Sequence, residues 1–125
     1  MRAIDTEEER REFKRFRIKE DSSFVSNSTW PDKGILVDIS KGGVAFHYHA
    51  DSAWPDGFAD EYMLFGDHDS CLNHLPMEVV ADRIVHYGQS NTLLVRRRSL
   101  KFGPLNEQQK FLLECFIWIN STAQC

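Results

Sequence analysis

Apolar and polar positions change their period along this chain, and the changes divide it into elements. Residues 34–39, Gly-Ile-Leu-Val-Asp-Ile, are β-branched and apolar, and residues 44–49 alternate cleanly with Val44, Phe46 and Tyr48 on one face. Both patterns predict strands, and Ser40-Lys41-Gly42-Gly43 between them reads as a hairpin connection. Residues 62–65 predict a further strand. Residues 77–81 and 83–87 predict one long bent strand, and residues 92–102 a return strand after a turn-like Gly88-Gln89-Ser90-Asn91. Phe24 and Val25 give a short β signal, and Trp30-Pro31-Asp32-Lys33-Gly34 and Trp54-Pro55-Asp56-Gly57 carry turn chemistry. About six strands at these intervals fit a small barrel.

The pattern then becomes helical. Asn106 is a good N-cap, and Gln109 stands where a capping-box partner would be. Phe111, Leu112, Cys115, Phe116 and Ile119 form one apolar stripe, expected to be the buried one, while Leu113, Ile117 and Trp118 fall outside it. Apolar surface this wide implies cover on more than one side. Either the chain itself supplies it, or a second copy does, making a homodimer through the C-terminal helix.

Length and composition add limits. A chain of 125 residues with 42% hydrophobic and 27% charged residues suits one globular domain. Residues 1–9 read as a flexible lead-in, 10–120 as the domain and 121–125 as a tail. No run approaches a membrane span, no signal-peptide pattern opens the chain, and the three cysteines have no framework spacing, so a cytoplasmic protein is expected. A net charge of −4 argues against DNA or RNA as a partner. The charge is uneven, however. Arg10, Arg11, Lys14, Arg15, Arg17 and Lys19 face a single acid, Glu12, within residues 10–19. A local basic segment on an acidic protein suits a small anionic ligand.

Two short motifs carry candidate chemistry. Arg11-Glu12-Phe13-Lys14-Arg15 is an R-x-x-x-R run, and arginine offers a planar fork of donors for phosphate oxygens or for guanine O6 and N7. Asp38-Ile39-Ser40-Lys41-Gly42-Gly43 is a D-x-S-x-x-G run at a strand end. Asp38 and Ser40 are two apart and project to the same face, with Ile39 directed to the core. An ionised aspartate accepts the N–H donors on the other edge of guanine, and glycine lets backbone approach a ligand. Each motif alone has a bland reading, a solvated arm or a self-bonded polar turn. Their conjunction, in this order, with a β-rich body and a terminal helix, resembles the PilZ family over roughly residues 10–119.

That resemblance implies an all-β fold with a terminal helix, a six-stranded antiparallel PilZ-type β-barrel plus a C-terminal α-helix. It also implies cyclic di-GMP as ligand, bound by Arg10, Arg11, Arg15, Asp38, Ser40, Gly42 and Gly43, with Gly43 giving room for the base. In this family an arginine just before the motif, here Arg10, accompanies two intercalated ligand molecules. The implied role is a receptor or adaptor whose N-terminal arginine arm orders on the ligand and alters the surface seen by a protein effector. The alternative is a PilZ-shaped interaction module without nucleotide. Ser99 stands where the family often has glycine, in Ser99-Leu100-Lys101-Phe102, which would narrow the site. Arg96 and Arg98 share a face of the last strand and read either as additions to the ligand field or, in preference, as shielding for a sheet edge. His68-x-x-Cys71-x-x-His74 has metal-like spacing, but a structural site needs four ligands, and a polar loop is the simpler reading. No nucleophile elbow, P-loop or H-E-x-x-H is present, so neither catalytic nor metal-binding residues are expected.

Overall fold

The computed structural model describes residues 13–55, 62–87 and 94–124. Nine strands, one α-helix and a short 3-10 helix (Asp67–Asp69) lie within them: β1 (Phe16–Ile18), β2 (Phe24–Ser26), β3 (Gly34–Ile39), β4 (Gly43–His49), β5 (Tyr62–Phe65), β6 (Cys71–Leu75), β7 (Met77–Tyr87), β8 (Leu94–Phe102), α1 (Glu107–Asn120) and β9 (Ser121–Gln124). All strand pairs are antiparallel. They form one strongly curled sheet, a half-barrel, in the order β6-β5-β2-β3-β4-β8-β7, with β1 on β3 and β9 on β1. The segments expected as strands at 34–39, 44–49, 62–65 and 77–87 all appear, as does Leu94–Phe102 of the one expected over 92–102, whose first two residues lie outside the described ones, so the fold is the expected one. Its strand count exceeds six because short segments without a clear alternating pattern, β1, β6 and β9, pair too. Residues 71–75 are strand β6 rather than a polar loop, and residues 121–124 are not a tail but strand β9, held on Phe16 and Arg17 of β1.

The concave side of the sheet holds the core. Val44, Phe46 and Tyr48 of β4 face it, as do Leu36 and Ile39 of β3 and Leu100 and Phe102 of β8. Trp30 packs against Phe46, Trp54 and Tyr62 at ring separations of 5.2, 5.4 and 5.5 Å. Helix α1 closes one end. Its capping box is formed, with Gln109 N donating to Asn106 Oδ1 at 2.7 Å and Asn106 N donating to Gln109 Oε1 at 3.0 Å.

The buried face of α1 is not the expected stripe. Leu113, Phe116, Ile117 and Asn120 face the core, whereas Phe111 and Trp118 are 64% and 86% exposed. A polar residue completes the inner face. Asn120 accepts from the Asp67 N–H at 2.8 Å and donates to Ser70 Oγ at 3.0 Å and to the Phe116 carbonyl at 2.9 Å, which ties the helix end to the β5–β6 connection. Removing one partner from a buried network leaves the others unsatisfied. Asn120→Ala is therefore expected to destabilise the fold by roughly 1–3 kcal/mol in urea unfolding. A loss below about 0.5 kcal/mol, the range of ordinary surface changes, would contradict this role.

Candidate functional site

Strand phase decides which side chains reach the convex face. On β8 the even positions turn inward and the odd ones outward, so Arg98 is buried while Arg97, Ser99 and Lys101 line a cleft on the outside. Two β-bulges then sort two aspartates. On β3 the register against β4 shifts between Leu36 and Asp38. Strict alternation from the buried Leu36 would turn Asp38 into the core; the extra residue, Val37, turns it out instead. On β7 the register against β8 shifts between Val79 and Ala81. This bulge brings Asp82 into phase with Arg98 on the inner side.

The inner aspartate belongs to a structural network. Asp82 accepts from Arg96 Nε at 2.8 Å, from Arg98 Nε at 2.7 Å and from the Tyr48 hydroxyl. Arg98 also donates to the carbonyls of Trp54 and Pro55, holding these two residues against the core. Burial pushes the Asp82 carboxyl up, but the hydrogen bonds from Tyr48, Arg98 and Arg96 outweigh it and hold it below the usual carboxylate range. Arg96 and Arg98 thus share a face, as expected, but they do not shield a sheet edge, because β8 is paired on both sides, to β4 and to β7.

The outer aspartate sits in the candidate site. Phe13, Arg15, Asp38, Ser40, Gly42 and Arg97 border a cleft of about 430 Å³, floored by Ala45. Arg97 Nη2 donates to Asp38 Oδ2 at 2.7 Å, reaching diagonally over β4. Ser40 Oγ accepts from the backbone N–H groups of Gly42 and Gly43 at 3.0 and 3.2 Å and so shapes the turn beside the carboxylate. Strand β1 pairs with the end of β3, Arg17 opposite Asp38, which delivers the arginine segment to the cleft. A side chain at Gly43 would overlap the Leu100 carbonyl oxygen, so glycine is needed there for β4 to lie against β8. A side-chain carbon at Gly42 would stand 2.7 Å from the Phe13 ring, which covers this turn.

The comparisons with known proteins bear on fold. No protein-family model matches the sequence, and no curated protein matches it at a significant level. Solved structures do. The PilZ domain of YcgR from Escherichia coli with c-di-GMP superposes with a TM-score of 0.62 over 89% of this chain and 91% of that one, at 16% identity. This chain has a PilZ-type fold. MrkH, described as a c-di-GMP-dependent transcription regulatory factor, gives a TM-score of 0.65 over 89% of this chain at 16% identity. The K. pneumonia MrkH–c-di-GMP complex also gives 0.65, over 87% at 15% identity. The chain spans about half, 51%, of the MrkH chain.

Within this PilZ fold, Arg15, Asp38, Ser40, Gly42 and Gly43 gather at one cleft. Arg10 and Arg11 lie outside the described residues, as do the lead-in and the turn at residues 88–91. Ser99 lines the same cleft, where its side chain takes space that glycine would leave open. Arg97 was not among the expected residues. Parity drew attention to Arg96 and Arg98, and the bulge that turns Asp38 toward Arg97 leaves no mark in the sequence. Among the described residues no group of three or more His, Cys, Asp or Glu side chains is gathered to hold a metal, and Cys71 and His74 belong to β6. No helix there is long and apolar enough to cross a membrane.

His47 reports on the site. Burial, then the Arg97 cation, lowers its pKa below the ordinary 6.5, with the Asp38 carboxylate partly offsetting them. The unfolded chain therefore takes up this proton first as pH falls, and stability declines as pH drops through and below 6.5. In a histidine NMR titration, Asp38→Asn should lower the His47 midpoint further and Arg97→Ala should raise it. Midpoints that ignore both changes would contradict the arrangement.

Proposed function

We propose that this domain is a cyclic di-GMP receptor, a binding module and not an enzyme. The observation that carries this reading is the outward-facing Asp38 carboxylate, set among Arg15, Arg97 and a serine-fastened glycine turn in a single cleft. Guanine presents two adjacent N–H donors on one edge, which a carboxylate accepts together. Phosphates and the O6/N7 edge take arginine forks. The fold's likeness to structures holding c-di-GMP supports the same ligand.

Arg10 and Arg11 complete the site by closing over the ligand from the segment that leads into Arg15. The ligand's phosphates draw together arginines that otherwise repel, and the ordered arm presents a changed surface to an effector. Helix α1 is the natural reader of that change. Lys41 in the site's turn pairs with Glu114 on α1 at 2.9 Å, and Phe111 and Trp118 stand exposed on the same helix. The pair itself is solvent-exposed and contributes little stability; its importance is that it joins the two surfaces. The exposed Trp118 also favours the second reading, a PilZ-shaped interaction module that engages a protein or a second copy of itself without nucleotide.

Calorimetric titration separates the two readings. Cyclic di-GMP should bind with a Kd around ~1 μM, or about −8 kcal/mol. Arg11→Ala and Asp38→Ala should each weaken it by roughly tenfold or more. Two ligands per chain would give Arg10 its expected role in an intercalated pair, and Arg10→Ala should then reduce the count to one. No heat at ligand concentrations of about ten times that Kd would favour the nucleotide-free module.

A further inference from the structure

We infer that Arg97, outside both sequence motifs, is a specificity-determining residue of this site: it positions the Asp38 carboxylate for a guanine edge. The inference rests on the reading of the cleft as a nucleotide site. Asp38 lies on β3 and Arg97 on β8, with β4 between them. Asp38 is opposite Ala45 and Arg97 opposite His47, so the two meet on a diagonal across β4. Ala45 makes this passage low. It is the smallest side chain on its strand after glycine, is only 3% exposed, and forms the floor beneath the contact.

The pair is partly buried, its side chains 22% and 17% exposed, and its contact is short and charge-assisted. Such a contact fixes the orientation of a carboxylate that would otherwise rotate about its terminal bond. It does not exhaust the carboxylate. The link joins Nη2 to Oδ2, one donor of the five on a guanidinium and one of the two oxygens, each with two acceptor positions. A guanine edge approaching from the cleft then finds both oxygens already set in one plane. A pre-set acceptor loses less entropy on binding and rejects a base that lacks a matching donor, because a buried polar group would be left unpaired.

The test uses cyclic di-GMP and its inosine analogue, cyclic di-IMP, which lacks the exocyclic amino groups. Both are titrated at one fixed salt concentration into the wild-type chain, Arg97→Ala, Arg97→Lys and Arg83→Ala, with a melting temperature taken for each. Arg83 faces Arg97 from β7 and is exposed, so its removal controls for loss of positive charge alone. Arg97→Ala should weaken cyclic di-GMP by roughly tenfold and shrink the preference for guanine over hypoxanthine. Arg97→Lys, a point charge without a planar fork, should also shrink that preference, and Arg83→Ala should preserve it. If Arg97→Ala does not fold, Arg97→Gln carries the same expectation. A wild-type preference retained in the Arg97 variants, at whatever affinity, overturns the proposal and leaves the receptor reading standing. Absence of binding to the wild-type chain overturns the receptor reading and this inference with it.

Discussion

The phase of β8 is the constraint on which the rest of the structure depends. Being paired on both sides, the strand cannot slip by one residue without exchanging its faces. Its present phase sends Arg98 inward, where a buried cation is tolerable only with partners, and Asp82, Trp54 and Pro55 supply them. The same phase sends Arg97 outward to the cleft. One alternation thus fixes both the polar heart of the core and the cationic wall of the candidate site.

The bulges on β3 and β7 are the counterparts of that alternation. Each inserts one residue where a plain strand would have put an aspartate on the wrong side. Without the β3 bulge, Asp38 would enter an apolar core beneath Leu36 and Ile39. Without the β7 bulge, Arg98 would be buried without its carboxylate. Bulges next to a cleft are a common means of aiming a side chain, and here the same device places one acid in the structural network and one in the candidate site.

The regular strands and the helix cap were legible because their chemistry is local. Alternation in β4, β-branched residues in β3 and the Asn106–Gln109 box each declare themselves within a few positions. What escaped depends on partners distant in sequence. Strand β9, Ser-Thr-Ala-Gln, has no apolar pattern and forms on β1, and β6 buries Leu72 and Leu75 at a spacing of three that breaks the two-residue alternation, supported by β5. The buried face of α1 was misplaced by one position because apolar residues surround the helix and Asn120, a polar residue, sits at its most buried point. The two motifs did lead to the cleft, since Arg15, Asp38, Ser40, Gly42 and Gly43 all border it. Arg97 did not declare itself, because its role comes from a register shift two strands away. Identities of 15 and 16% to the similar structures fit this picture: the fold is fixed by strand phase and packing, which many sequences satisfy.

As the proposed receptor, this domain takes a guanine nucleotide into the convex cleft between Asp38 and Arg97. Backbone and arginine side-chain NMR shifts recorded during a titration with cyclic di-GMP test it most directly. Changes are expected to concentrate at Asp38, Gly42, Gly43, Ala45 and Ser99 and at the Arg97 Nε–H, with the inner Arg98 Nε–H little affected. Changes centred on Phe111 and Trp118 with a silent cleft, or no changes at saturating ligand, would contradict it.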